Sequence, residues 1–331
     1  MKDLEQYDGY RGIRVLVAGA SGFIGRWVAK LLSEEGANLW IVGRDRSRLN
    51  SVSEVYSIRG TKVSLDLAKA NTFEKLFEEI KPDVTFNLMG YGISRQERDE
   101  KTAWKINADL VGEMALTIAR ANKSKWKGMK LVHVGSGFEY GSIPGVITEK
   151  ARPEPTTIYG RSKLAGTEKL QEISESTGLP ALAARIFTVY GPGENSQRLF
   201  PSLIRAAKSG EILKLTKGEQ RRDFTYVKDV AFGLLKLGLL SEVPGNIVNL
   251  ATGKLTSVRD FVERARSILA IEPTRLLFGA IPYREDEVWQ GKVDVTFLRN
   301  CIAWVPSYSI LEGIQETIEF EKLKKSLLGA N

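Results

Sequence analysis

The sequence predicts an α/β fold of the Rossmann type, in which a doubly wound parallel sheet is followed by a smaller lobe towards the C-terminus. Three observations predict it. Residues 13–18 form a short, mostly apolar and β-branched run that leads directly into a glycine-rich turn over 19–25. Apolar residues then recur at helical spacing over 24–32. Segments of strand and helix character go on alternating as far as residue 187, which is typical of right-handed βαβ units.

The alternation can be followed element by element. Strands are predicted over 13–18, 39–43, 62–65, 84–89, 130–134 and 181–187, and helices over 24–32, 73–80, 103–121 and 159–177. After residue 190 short apolar segments are mixed among turns, and 229–240 and 246–250 are expected to return to the main sheet as a helix and a strand. We therefore expect one domain over 1–190 and 226–251 and a second lobe over 191–225 and 252–331.

The composition excludes several classes of protein. A chain of 331 residues with 43% hydrophobic and 27% charged residues is usual for a soluble globular protein, and no apolar run approaches the ~20 residues of a membrane span. The segment 1–5 lacks the pattern of a signal peptide, so a cytoplasmic protein is expected. With a single cysteine, Cys301, and a single histidine, His133, neither a disulfide framework nor a His- or Cys-rich metal site is expected.

The net charge of +8 is compatible with a nucleic-acid partner or with an anionic substrate. The only dense basic stretch surrounds Trp126 and is expected to face solvent. It consists of Lys123, Lys125, Lys127 and Lys130. No recognised nucleic-acid-binding module accompanies it, so an anionic small molecule is the expected partner.

The glycine-rich turn predicts a dinucleotide site. Glycines let the backbone approach a pyrophosphate and direct the N-terminus of the following helix at the phosphates. The spacing is Gly-x-x-Gly-x-x-Gly, one residue longer at its start than Gly-x-Gly-x-x-Gly. The residues predicted to bind the cofactor here are Gly19, Ser21, Gly22, Phe23, Ile24 and Gly25.

The residues after the second and third strands bear on the choice between NAD and NADP. An acid after the second strand usually binds the ribose hydroxyls of NAD, whereas an Arg suits the 2′-phosphate of NADP. Here that strand is followed by Arg44, Asp45 and Arg46, so NADP(H) is favoured and NAD(H) stays open through Asp45. Asp66 and Leu67, after the third strand, are expected to border the adenine, although an Asp in this position is as often a turn or helix cap.

A Tyr-x-x-x-Lys spacing, Tyr159 to Lys163, predicts the proton-transferring group. A tyrosine hydroxyl titrates near ~10 in water, so it needs a nearby cation to exchange protons at neutral pH. Four residues apart on one predicted helix, the two side chains lie on the same face. The pair suits general acid/base transfer to a carbonyl or carbinol oxygen beside a nicotinamide, and the glycine turn distinguishes it from a simple pair on a helix surface.

Five ordered blocks of the chain resemble the extended short-chain dehydrogenase/reductases that modify nucleotide sugars. The blocks are residues 19–25, 135–141, 159–163, 185–193 and 222–230, and the resemblance spans nearly the whole chain. It implies a Rossmann domain that binds NAD(P), a C-terminal lobe that binds a nucleotide diphosphate sugar, and a homodimer. The helices predicted around 103–121 and 159–177 would form its four-helix interface.

The resemblance also implies roles for individual residues. Tyr159 is implied as the acid/base, Lys163 as its electrostatic partner and a ligand of the nicotinamide ribose, and Ser136 as the hydroxyl that hydrogen-bonds the reacting sugar oxygen. Arg222 and Arg284 are implied as cations for the substrate diphosphate, and guanidinium forks bind phosphate oxygens well.

Departures from the family pattern narrow the expected reaction. Sugar-nucleotide 4,6-dehydratases in this family place an acidic pair directly after the Ser/Thr, where this chain has Gly137 and Phe138, and Glu139 comes one position late. Dehydration is therefore not expected. Thr188 replaces the family's usual Asn as a substrate-contacting residue, and His133 is expected to be buried and structural.

Taken with Arg44, the resemblance implies NADP(H)-dependent reduction of a 4-keto-(6-deoxy) nucleotide sugar, with Tyr159 as the proton donor. The alternative is an NAD-dependent nucleotide-sugar 4-epimerase of the UDP-hexose type, which would use the same three side chains. A more distant alternative is a non-catalytic NADP-binding regulator, which would be expected to have lost the Tyr or the Lys that this chain retains.

Overall fold

The computed structural model describes residues 9–93, 97, 99–121 and 124–327. Its strands are β1 (Arg14–Ala18), β2 (Asn38–Gly43), β3 (Thr61–Ser64), β4 (Val84–Asn87), β5 (Leu131–Ser136), β6 (Val146–Ile147), β7 (Ala181–Ile186), β8 (Thr188–Tyr190), β9 (Leu213–Leu215), β10 (Arg221–Tyr226), β11 (Ile247–Leu250), β12 (Leu255–Ser257), β13 (Leu276–Phe278) and β14 (Lys292–Val293). Its α-helices are α1 (Phe23–Glu34), α2 (Arg46–Val55), α3 (Thr72–Ile80), α4 (Glu100–Trp104), α5 (Leu110–Ala121), α6 (Ile158–Thr177), α7 (Leu199–Ser209), α8 (Val227–Gly238), α9 (Val258–Leu269), α10 (Thr296–Ile302) and α11 (Ile310–Leu327).

Seven parallel strands form the central sheet, in the order β11-β7-β5-β4-β1-β2-β3. Strand order reverses between β1 and β4, and the crevice outside the carboxyl ends of the strands at such a switch point is where ligands bind in doubly wound sheets. This arrangement confirms the predicted fold class.

Both faces of the central sheet are covered by helices, as a parallel sheet requires. Successive residues of β1 point to opposite faces: Val15 and Val17 belong to one buried cluster, whereas Leu16 and Ala18 belong to the other. The first cluster includes residues of α1 and α8, which pack together, and the second includes residues of α3 and α5. The near-continuous apolar runs in the sequence follow from burial on both sides.

Three smaller sheets lie outside the central one. They have the strand orders β12-β10-β8, β13-β9 and β14-β6. β8 and β6 precede residue 191 but pair with β10 and β14, which come later in the chain. We propose the division expected from the sequence, with 1–190 and 226–251 in the cofactor domain and 191–225 and 252–331 in the substrate lobe.

The observed elements differ from the predicted ones in two places. The helix predicted over 103–121 begins at Glu100 and contains a π-helical turn over Lys105–Asp109. Helix α2 was not predicted, because it is largely polar and buries only Leu49, Val52 and Ser53.

The expectation that the whole basic stretch faces solvent is wrong at Lys130. This side chain is buried, and its Nζ donates hydrogen bonds to the carbonyl oxygens of Ser124 (3.3 Å) and Trp126 (2.6 Å). Burial accordingly lowers the pKa of Lys130. Lys125 and Lys127 are exposed, and Lys123 lies outside the described residues. Over the described ranges, no helix combines the length and the apolar character needed to span a bilayer.

Candidate active site

The glycine-rich turn connects β1 to α1, and the backbone at its end lies very close to the backbone at its start. A Cβ atom at Gly25 would lie 2.2 Å from the carbonyl oxygen of Gly19, so no larger residue fits there. Gly22 is the N-cap residue and offers no side-chain cap to the first turn of α1. The free backbone N–H groups of that turn suit the pyrophosphate of a dinucleotide.

The other residues predicted in this turn surround its opening. Ser21, Phe23 and Ile24 are all partly exposed. Sequence analysis missed Arg26, whose guanidinium donates to the carbonyl oxygens of Ser21 (2.8 Å) and Gly22 (2.9 Å) and braces the turn from within α1. An Arg one residue after the last glycine has no distinctive spacing that would have revealed this role.

Arg44 and Asp45 have different surroundings after β2. Arg44 is exposed, and its guanidinium has no hydrogen-bond or ion-pair partner among the residues that the structure describes. The carboxylate of Asp45 accepts the backbone N–H of Arg48 at 3.1 Å and so caps α2. Arg46 is engaged by β3, because its Nη1 donates to the carbonyl oxygen of Lys62. Of the two predicted arginines, the structure leaves Arg44 available to a ligand.

Asp66 and Leu67 follow β3. Asp66 takes the capping role that the sequence left open, since its carboxylate accepts the backbone N–H of Ala68 at 3.2 Å. Leu67 is 1% exposed and packs in the buried cluster on the α3 and α5 face. Contact of either side chain with an adenine remains a prediction.

Lys163 lies in the second turn of α6, which begins after the N-cap Thr157. The side chain is 2% exposed, and its Nζ donates to the carbonyl oxygens of Val134 (3.0 Å) and Met89 (3.2 Å). The ammonium is therefore held beside the carboxyl ends of β4 and β5. Burial lowers the pKa of Lys163 to about 8, and the negative charge of Glu139 opposes that shift.

Tyr159 lies one turn before Lys163 and is partly exposed. Its ring packs edge-to-face against Phe138, with 5.8 Å between the ring centroids. Burial raises the pKa of Tyr159 to about 12, while the nearby Ser136 and the positive charge of Arg198 act in the opposite sense. The structure thus brings Ser136, Tyr159 and Lys163 together, as the sequence analysis expected.

Ser136 ends β5 and is held by a short helical turn. Its Oγ accepts the backbone N–H of Phe138 at 3.2 Å, while its own N–H donates to Glu139 Oε1 at 2.7 Å. Glu139 Oε2 in turn lies 2.7 Å from Nε of Arg185, and both charged side chains are buried. Glu139 is therefore part of the support beneath Ser136.

His133 lies under this site, in β5. It is fully buried, and its Nδ1 lies 3.2 Å from Nδ2 of Asn87 on the neighbouring strand. Burial, helped by the charge of Lys163, holds the pKa of His133 well below its usual value, so the ring is neutral at physiological pH. Within the described residues, no three His, Cys, Asp or Glu side chains group as a metal site requires.

The predicted substrate arginines lie in the smaller lobe. Arg222 is paired with the carboxylate of Glu287, and its Nη1 donates to the carbonyl oxygen of Val288 at 2.7 Å. Burial lowers the pKa of Arg222, Glu287 opposes the shift, and the charges of Arg198 and Arg284 add to it. Three guanidinium groups therefore converge here, and Arg284 is the exposed member.

Thr188 lies at the start of β8, where it is partly exposed and pairs with Phe224 of β10. Arg222 lies two residues before Phe224 on the same strand, so the fold brings Thr188 near the predicted phosphate site. A hydrogen bond of Thr188 to substrate remains a prediction.

Sequence analysis also missed Glu194 and Arg198. Glu194 is buried, its Oε1 lies 3.4 Å from Nε of Arg198, and burial raises its pKa to about 7. The charge of Arg198 acts on both Tyr159 and Arg222, so it lies near the predicted proton donor and the predicted diphosphate site. In the sequence this pair looks like any Glu and Arg four residues apart, so only the tertiary structure reveals its position.

The chain matches the model of the NAD dependent epimerase/dehydratase family over residues 15–251. The protein belongs to this family. Membership confirms the resemblance stated from the five sequence blocks, and it confirms the expectation of an NAD(P)-dependent enzyme. The residue roles carried over from that resemblance remain predictions.

Two curated relatives illustrate the range of activities among family members. A UDP-glucose 4-epimerase of Mycolicibacterium smegmatis is 26% identical over 325 residues, which cover 94% of this chain and 99% of the relative. A dTDP-6-deoxy-L-talose 4-dehydrogenase (NAD(P)(+)) of Kitasatospora kifunensis is also 26% identical, over 92% of this chain and 94% of the relative.

Solved structures with the same fold include two with high TM-scores. MoeE5, in complex with UDP-glucose and NAD, superposes with a TM-score of 0.80 at 25% identity, over 94% of this chain and 99% of its own. The epimerase Mth375 of Methanothermobacter thermautotrophicus gives a TM-score of 0.83 at 21% identity, over 98% of this chain and 97% of its own. The second likeness concerns the fold alone.

Proposed function

We propose that this family member is an NADP(H)-dependent oxidoreductase that reduces the C4 ketone of a 4-keto nucleotide diphosphate sugar, with Tyr159 as the proton donor. The observation that carries the proposal is the grouping of Ser136, Tyr159 and Lys163 at the carboxyl ends of β4 and β5. This edge of the sheet is where ligands bind in doubly wound folds.

The protonation states of the site suit reduction. A phenol with a pKa of about 12 holds its proton at neutral pH, so Tyr159 can donate it to a carbonyl oxygen. Ser136 can orient that oxygen by a second hydrogen bond. Lys163, with a pKa of about 8, is mostly charged at pH 7 and stabilises the phenolate left after transfer. The nicotinamide cofactor, when bound, supplies the hydride exchange.

The preference for NADP(H) over NAD(H) rests on the residues after β2. Arg44 is exposed with a guanidinium that no described residue engages, whereas Asp45 is used as a helix cap. A free guanidinium suits a 2′-phosphate, and a capping carboxylate is less available to ribose hydroxyls. Gly19, Gly22 and Gly25 would let the pyrophosphate approach the backbone, and Lys163 would contact the nicotinamide ribose.

A nucleotide diphosphate sugar is the proposed substrate because the positive charge of Arg198 acts on both Tyr159 and Arg222, so cations lie near the proposed proton donor. Arg222 and Arg284 are proposed to bind the diphosphate, and guanidinium forks match phosphate oxygens in geometry and charge. Thr188 is proposed to contact the sugar. The names of the relatives, a UDP-glucose epimerase and a dTDP-6-deoxy-L-talose dehydrogenase, support this substrate class.

A nucleotide-sugar 4-epimerase is the second candidate, and the comparisons favour it specifically. The Mycolicibacterium smegmatis relative is named a UDP-glucose 4-epimerase, and MoeE5 was solved with UDP-glucose and NAD. Ser136, Tyr159 and Lys163 would serve this reaction equally, since it oxidises and then reduces the same carbon. The third alternative, a non-catalytic regulator, loses support because both Tyr159 and Lys163 are present in a family of enzymes.

We also propose a homodimer, with α5 and α6 at its interface. These two helices pack side by side on one face of the central sheet. Trp104 on α4, Leu116 on α5 and Ile158 on α6 are large apolar side chains that the single chain leaves exposed. Sedimentation of the purified protein would test this. The cytoplasmic location expected from the sequence stays a prediction.

Cofactor retention and turnover distinguish the two candidate reactions. Native mass spectrometry of freshly purified protein is followed by incubation with NADPH and dTDP-4-keto-6-deoxyglucose, and separately with UDP-glucose alone. Oxidation of NADPH that depends on the keto sugar supports the reductase. Retained NAD together with conversion of UDP-glucose to UDP-galactose supports the epimerase. If neither sugar is converted, both candidates fail for these substrates.

A further inference from the structure

We propose that the buried ion pair of Glu139 and Arg185 is the positioning device of the catalytic centre, and that it acts by holding Ser136 in place from beneath. The inference rests on the proposed function, since it concerns the support of the same site. Glu139 is 0% exposed and Arg185 is 2% exposed, so neither side chain reaches the substrate cleft. Both are positioning residues.

Glu139 controls the backbone at Ser136. Its Oε1 accepts the N–H of Ser136 at 2.7 Å, while Ser136 Oγ accepts the N–H of Phe138 at 3.2 Å. These reciprocal bonds close a capping box around the turn Gly137–Glu139. Because two bonds fix the same residue from opposite directions, the Ser136 hydroxyl has one defined position beside Tyr159.

Arg185 holds Glu139 in turn. Its Nε lies 2.7 Å from Glu139 Oε2, and its guanidinium stands 4.4 Å from the ring centroid of Tyr140. Tyr140 Oη donates to Asn249 Oδ1 at 2.8 Å. Arg185 itself pairs in register with Gly135 of β5 and Asn249 of β11. The chain of contacts therefore ties Ser136 to the ends of three neighbouring strands.

The packing around the Glu139 carboxylate leaves space for this group. A Cβ atom at Gly135 would lie 2.8 Å from Glu139 Oε1, so the missing side chain leaves the space that the carboxylate fills. Apolar residues of similar volume are often as stable as a buried ion pair, whereas a buried charge without its partner is strongly destabilising. The presence of a buried ion pair is therefore poor evidence that it stabilises the fold. The contacts of this pair instead extend to Ser136, the residue proposed to orient the substrate oxygen.

The charge of Glu139 also acts on the two proton-handling groups. It opposes the burial that lowers the pKa of Lys163, and it adds to the burial that raises the pKa of Tyr159. The other charges facing Tyr159 are Arg198, which acts in the opposite sense, and Glu97, which acts in the same sense. His133, which also faces Lys163, is neutral. Glu139 therefore favours a charged lysine beside a protonated tyrosine.

The test removes both charges while keeping amide groups that can hydrogen-bond. In the double variant Glu139→Gln with Arg185→Gln, we expect kcat to fall by up to about 100-fold through loss of alignment, with KM and cofactor Kd within about twofold of wild type. We also expect the alkaline limb of the pH profile of kcat to move to lower pH, because Lys163 loses the negative charge of Glu139, which opposes its deprotonation.

The matched control, Glu154→Gln with Arg152→Gln, removes an exposed ion pair and should change none of these quantities.

A second comparison separates positioning from general loosening of the fold. If the ion pair acts through Ser136, the triple variant, which combines Ser136→Ala with the double variant, loses little more kcat than Ser136→Ala alone. Fully additive losses, or an unchanged kcat in a folded double variant, would overturn the proposal. If the double variant does not fold, Arg185→Lys is measured in its place. A lower kcat at constant KM is expected for this variant, and an unchanged kcat would overturn the proposal. Wild-type protein that converts neither test sugar would instead count against the proposed function.

Discussion

The Nζ atom of Lys163 lies 3.0 Å from the carbonyl oxygen of Val134, with almost the whole side chain buried. The end of β5 thus supports the ammonium, one helical turn from Tyr159, the proposed proton donor. Its burial has a cost, which is expressed as a pKa of about 8 instead of the usual 10.5. Function and stability are therefore expected to oppose each other at this residue.

The first prediction concerns Lys163→Met. The variant should lose most turnover and bind cofactor more weakly, yet be more stable at pH 7 by about 1–2 kcal/mol, since it no longer buries a charge. Below pH 8 the wild type carries the full cost. Between pH 8 and 10.5 its unfolded state binds a proton that the folded state does not, so wild-type stability rises and the difference shrinks. Thermal unfolding across this range checks the prediction. The control is Lys169→Met, which replaces a partly exposed lysine of the same helix that pairs with Asp109. A Lys163→Met variant less stable than wild type at pH 7 contradicts the prediction.

The second prediction concerns Tyr159→Phe. The ring and its packing on Phe138 are kept, but the proton donor is removed, so kcat should fall by about 10²–10⁴-fold with cofactor affinity nearly unchanged. Tyr10→Phe is the matched control, because it removes a buried hydroxyl that binds the carbonyl oxygen of Leu235. Steady-state kinetics and cofactor titration provide the measurements. Unimpaired turnover would reject Tyr159 as the proton donor.

The third prediction concerns Arg44→Ser. Loss of a guanidinium that would bind a 2′-phosphate should weaken NADPH binding by about tenfold or more and leave NADH binding within about twofold. Arg48→Ser, an exposed arginine on the neighbouring helix, should leave both affinities unchanged. Fluorescence titration with the two cofactors measures the ratio. Equal effects on NADPH and NADH would show that Arg44 does not recognise the 2′-phosphate.

The fourth prediction concerns Arg198→Met. The charge of Arg198 acts on both Tyr159 and Arg222, so its loss should weaken binding of UDP or dTDP by about tenfold. Arg205→Met on α7 removes an exposed arginine that pairs with Glu211, and it should bind both nucleotides as wild type does. Calorimetric titration distinguishes the two variants. The prediction fails if Arg198→Met binds both nucleotides with wild-type affinity.

Local pattern was sufficient for most of the fold. Burial in and against the central sheet explains the helical spacing over 24–32 and the apolar runs of β1, β4 and β7. Because burial imposes a regular pattern of apolar residues, such elements can be recognised in the sequence. Helix α2 was missed because few of its residues are buried. Lys130 was misjudged because its carbonyl partners depend on how the chain folds back before β5.

By itself, the sequence determined the Rossmann domain, the glycine turn and the Tyr159–Lys163 pair, because each depends on neighbours within a few residues. The tertiary structure decided the remaining relationships: Arg198 near Arg222, Asp45 as the cap of α2, and Arg185 paired with Glu139. Such contacts depend on the register of neighbouring strands. They also depend on which charged side chains are buried, because a buried charge is stable only beside a partner of opposite charge. Residues joined in this way share no spacing along the chain, so only the folded chain brings them together.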